Sequence, residues 1–149
     1  MNNSFLYLFL ALSAGAMIPF QSAMNAQLGK ALQSPYYAAL TVFCIAAVGL
    51  VGYALATRYS MPALQQFSAA PAWAYLGGIL GGAYILLIVI CAPKLGIGNA
   101  TVLVLLGQVL SAVIIDQFGL LNTPVHVVNW QRIGGVMLII AGVYLVKKF

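Results

Sequence analysis

The sequence predicts an all-α integral membrane protein of five transmembrane helices, on three observations. Hydrophobic residues make up 64% of the 149 and charged residues only 5%, against roughly a quarter charged in a soluble domain. Asp116 is the only acidic side chain. The apolar residues fall in five blocks, about 5–28, 36–57, 72–91, 98–115 and 130–146, each near the roughly 20 residues that cross a hydrocarbon core of about 30 Å. The blocks are continuous runs without in–out alternation, which argues against a β-barrel. They fill nearly the whole chain, so residues 1–149 read as a single transmembrane domain whose function lies within the membrane. Ala14-Gly15-Ala16 has the form of a signal-peptide cleavage site. However, Met1-Asn2-Asn3-Ser4 carries no Lys or Arg and the apolar run continues past the triplet, so the first block reads as a retained span.

The first crossing is the most polar and the most broken. Pro19 lacks an N–H and its ring crowds the carbonyl of Gly15, which predicts a kink with Gly15 and Pro19 as a hinge. Gln21 and Asn25 follow, four apart and on one helix face. Amides in hydrocarbon face protein or water, so this pair either lines a substrate path or bonds a neighbouring helix. The second crossing is smooth and ends at Arg58-Tyr59; the connector 60–71, with Pro62 and Pro71, reads as a surface loop. The third opens on Trp73 and Tyr75, which suit the membrane–water interface. Its glycines, Gly77 with Gly81 and Gly78 with Gly82, permit close helix approach. Tyr84, further along, needs a partner: either a cavity or a hydrogen bond to another helix.

Pro93-Lys94-Leu95-Gly96 reads as a tight connector. The fourth crossing places Thr101, Gln108 and Ser111 on one face, with Gln108 near mid-depth, where it lines a cavity or bonds a helix. Asp116 closes this crossing and Arg132 opens the fifth, each at the helix end that its charge does not favour. An ion pair between them, with His126 nearby, relieves both conflicts. It serves either as a structural clasp or as a gate for protons or substrate. In the fifth crossing, Gly135 with Gly142 and Gly134 with Ala141 form a small-residue seam at seven-residue spacing, suited to a dimer contact.

Lys30, Arg58, Lys94, Arg132, Lys147 and Lys148 stand at block ends. Dispersed in this way they anchor the helices and set topology; they form no basic patch for nucleic acid. Five crossings put Lys30, Lys94, Lys147 and Lys148 on one side and Arg58 and Arg132 on the other, four against two. The positive-inside rule then favours a cytoplasmic C-terminus, but weakly. Weak bias permits insertion both ways and hence an antiparallel homodimer, a ten-helix assembly with the inverted symmetry of many transporters. Cys44 and Cys91 have no paired spacing, so they suggest neither metal nor disulfide. One Asp, one His and no Glu give too few groups for a paired-carboxylate or metal-centred enzyme within one chain, and no cofactor is expected.

Taken together, these segments resemble the YdcZ family of the drug/metabolite transporter superfamily. The likeness rests on Gly15 to Asn25 with Pro19 and Gln21, Gly77-Gly78-x-x-Gly81-x-x-Tyr84 and Pro93-x-Leu95-Gly96. It continues in Gly107-Gln108, Asp116-Gln117-Phe118-Gly119 and Arg132-x-Gly134-Gly135. No single motif is specific; their order and spacing are. The resemblance implies a multi-pass bacterial inner-membrane transporter subunit. It also implies kinship with the small multidrug resistance proteins, which work as antiparallel dimers and carry an essential glutamate in helix one. This chain has no acid there. The expectation is therefore a transporter, in the export direction, of small solutes by alternating access. Gln21, Asn25, Tyr84 and Gln108 line its cavity, and a homodimer embedded in lipid is the working unit. The alternative is a non-transporting scaffold or accessory subunit of another membrane complex.

Overall fold

A computed structural model describes residues 4–149; the first three residues, which enter the signal-peptide reading, lie outside it. The chain divides into two compact units, Met1–Lys94 and Leu95–Phe149. Five helices are long and apolar enough to cross a membrane, and no β-strand occurs among the described residues.

The first unit contains α1 (Ser4–Ala31), α2 (Pro35–Ala56), the short α3 (Leu64–Ala69) and α4 (Leu76–Leu95), which a 3₁₀ turn, Ala72–Tyr75, introduces. Local chemistry sets the boundaries. Gln33 takes φ 50° and ends α1, while the Ser34 hydroxyl accepts a hydrogen bond from the Tyr37 N–H and Pro35 begins α2, a standard stop and start. At the far end of α2 the Thr57 hydroxyl donates to the Tyr53 carbonyl at 2.7 Å, and Arg58 turns left-handed at φ 52°.

The core of this unit is a small cluster of Ala38, Ala39, Ile85 and Val89, with Leu28, Val42, Tyr84 and Leu86 packed against it. Small residues let the helices come close. A Cβ added to Gly29 would stand 2.5 Å from Val89 Cγ1, so α1 and α4 meet at a point that only glycine fits. On α4, Gly81 faces the Phe43 ring of α2, whereas Gly77 and Gly78 face open space. No large side chain is fully buried among the described residues, and long apolar side chains such as Leu8, Val48 and Ile79 point outward. A bilayer accepts this arrangement; water does not.

The second unit is a helical hairpin of α5 (Ile97–Phe118) and α6 (Trp130–Lys148) packed side by side, with a 3₁₀ turn, Leu120–Asn122, just after α5. Gly119, at φ 60° and ψ 33°, caps α5 in the left-handed conformation. A side chain there would also meet Val125 Cγ2 at 2.7 Å. Asn129 caps α6: its Oδ1 accepts the Arg132 N–H at 2.8 Å.

Two sequence expectations change. The connector after the second crossing holds the short helix α3, whose first turn is closed by the Gln66 side chain accepting from the Ala63 N–H at 3.0 Å. The Tyr75 phenol donates to the Phe67 carbonyl at 2.6 Å and ties this segment to the start of α4. Pro93 does not begin a connector. α4 runs through it to Leu95, and only Gly96, at φ 83°, separates α4 from α5. Proline near the C-terminal end is tolerated because the helix has few turns left to propagate the break.

Candidate functional site

The best-defined polar constellation lies at the turn between α5 and α6. Arg132 Nη2 donates to Asp116 Oδ2 at 3.0 Å, forming the ion pair that their charges at opposed helix ends predict. Arg132 Nη1 donates to the His126 carbonyl at 3.1 Å. The His126 N–H in turn donates to the Asp116 carbonyl at 2.9 Å, and the Val128 N–H donates to Gln117 Oε1. Histidine 126 thus joins through its backbone. One guanidinium holds the end of α5 and the loop together, and the loop is laced to the same helix end by Gln117. The two charged side chains are 36% and 32% exposed, so solvent screens the pair and its net strength is that of a partly exposed bond, about 1 kcal/mol.

The four expected cavity residues divide. In the first unit, Asn25 is buried at 6% exposure, Tyr84 is half-buried against the core cluster, and Gln21 is exposed. Four residues apart on one helix, Gln21 and Asn25 thus occupy different surroundings, because Asn25 with Ser22 and Ala26 forms the buried stripe of α1. In the second unit, Gln108 is exposed. None of the four side chains makes a hydrogen bond among the described residues.

The hinge pair lies in an unbroken α1: Pro19 is inside the helix, and nothing lies within 4 Å of a Cβ added to Gly15. On α6, Gly134, Gly135 and Ala141 are exposed and Gly142 is half-exposed. Added Cβ atoms at the three glycines likewise meet nothing. The seam therefore has no neighbour within its own hairpin.

Two clefts in the first unit were not foreseen. The larger, about 860 Å³, lies where α2 gives way to α3, between Tyr53, Tyr59, Met61, Gln66 and Phe67. A smaller one, about 250 Å³, opens between Gly29, Lys30, Pro35, Val89 and Lys94. Neither touches the four expected cavity residues. Their walls come from helix ends and connectors, where sequence periodicity carries no signal.

The chain was compared with known proteins. No curated protein and no solved structure matches it. A family model does, over residues 6–145, with the description "Putative inner membrane exporter, YdcZ". Membership implies a small-molecule substrate and a lipid surround, and it agrees with five helices able to span the bilayer. The match covers all five of those helices almost end to end, and the chain belongs to the YdcZ family of the drug/metabolite transporter superfamily, as a multi-pass protein of the inner membrane.

Proposed function

We propose that this chain exports small solutes by alternating access, with the whole chain acting as one transmembrane domain and two copies pairing antiparallel along α6. The observation that carries the reading is the exposure of Gln21 and Gln108, which have no hydrogen-bond partner among the described residues. Gln108 lies eleven residues into a 22-residue span, roughly 16 Å from its start. An amide left to hydrocarbon at that depth costs several kcal/mol. A second copy of the chain, or a water-filled path between copies, removes that cost. On this reading Gln21, Asn25, Tyr84 and Gln108 line the path, Gly15 and Pro19 form the hinge, and Asp116–Arg132 is the clasp that holds one conformation. Gly134, Gly135, Ala141 and Gly142 form the seam between copies.

Cross-linking tests the pairing. In α6, positions 135 and 142 lie on either side of its middle, Ile139, four and three residues away. In a background free of Cys44 and Cys91, differently tagged Gly135→Cys and Gly142→Cys chains are co-expressed and oxidised in membranes. An antiparallel seam joins 135 to 142. A parallel seam joins each position to itself, and absence of any cross-link with the protein inserted removes α6 as the contact.

A further inference from the structure

The smaller cleft of the first unit holds two of the six basic residues. Lys30 stands in the last turn of α1 and Lys94 in the last turn of α4, and both line the cleft with Ala26, Val89 and Ile90. Neither lysine makes an ion pair or hydrogen bond among the described residues. No carboxylate side chain is available to them: Asp116 is the only acidic side chain of the chain, and Arg132 holds it. Lys148, by contrast, lies over the rings of Tyr144 and Phe149.

Helix dipoles offset the two ammonium charges only in part. Each helix C-terminus contributes about half a negative charge, and the α2 N-terminus at Pro35 adds about half a positive one. The cleft therefore keeps a net charge of roughly +1.5. Its lysines sit at the ends of apolar spans, at headgroup depth, and its apolar walls continue into the spans. We propose that this cleft binds an anionic phospholipid, with the phosphate between Lys30 and Lys94 and the upper acyl chain along Ala26, Val89 and Ile90. A free phosphate would meet the lysines but leave the apolar wall without a ligand; the mixed lining selects the amphipathic one. Basic pockets between transmembrane helices serve this purpose generally.

The test uses the full chain purified in dodecyl maltoside, with thermal unfolding followed as lipid is added. Dioleoylphosphatidylglycerol is expected to raise the Tm saturably, whereas dioleoylphosphatidylcholine and inorganic phosphate are not. Each lysine near a headgroup is worth about fivefold in affinity, so K30Q/K94Q is expected to bind phosphatidylglycerol roughly thirtyfold more weakly. K147Q/K148Q, which removes equal charge elsewhere, should bind as the native chain does. Equal loss in both double variants would overturn the site in favour of diffuse attraction. An equal response to inorganic phosphate would make it a small-anion site, and no response to phosphatidylglycerol would remove it.

Discussion

At the scale of single residues, the pair Asp116–Arg132 decides how the second hairpin is closed. It was legible in the sequence because the chain has so few charges: the only acid and a nearby guanidinium both stood at ends that helix dipoles disfavour. What the sequence did not carry was the backbone half of the network. The bonds from Arg132 to the His126 carbonyl and from the Val128 N–H to Gln117 depend on a left-handed turn at Gly119 and Leu121 that no periodicity specifies. Exchanging the charges, as D116R/R132D, keeps an ion pair and places each charge at the end its dipole favours, while losing the bond to the His126 carbonyl. Thermal unfolding of a double-mutant cycle should show each single substitution costing about 1–2 kcal/mol, from loss of the pair and like-charge repulsion. The exchanged pair should return to within about 1 kcal/mol of the native chain. A double variant as unstable as the sum of the singles would mean that the guanidinium's backbone bond, rather than charge pairing, holds the turn.

At the scale of elements, the five spans were readable because a run of some 20 apolar residues has one physical use. Their ends were less so. Serine 34 and Asn129 cap their helices by short local bonds, whereas α3 forms around a glutamine–backbone bond within a proline-flanked connector. The distinct surroundings of Gln21 and Asn25 were also hidden: helical spacing places residues on a face but does not say which edge of it a neighbour covers. The glycine pairs on α4 were read as packing notches, yet the tightest contact uses Gly29 of α1, outside any repeated pattern. Gly29→Ala is therefore expected to destabilise the first unit by about 1–3 kcal/mol, because its methyl must displace Val89. Val89→Ala should by itself be mildly destabilising and should restore part of the loss in the double variant. Thermal unfolding of the three proteins tests this, and additive losses would show that Gly29 acts through helix propensity instead of close approach.

At the scale of the whole molecule, the expectation from the sequence is that orientation depends on six cations, which five crossings would distribute four to two. Two of the four are the adjacent Lys147 and Lys148 at the end of α6. Replacing both by glutamine leaves two against two, and the inserted population should move towards an even split. Cysteines placed singly near each end of a Cys44- and Cys91-free chain report this by labelling from either face of sealed vesicles. An unchanged labelling pattern would show that the first crossing alone sets the orientation.

The engagement of Asp116 by Arg132 also bears on energetics. Carriers driven by the proton gradient commonly rely on a carboxylate that trades a proton for cargo, which forbids the empty, deprotonated carrier from reorienting. Here the only acidic side chain lies in the last turn of α5 and is already matched. On the proposed reading this pair is occupied in holding one conformation, so any gradient that drives export must act through other groups.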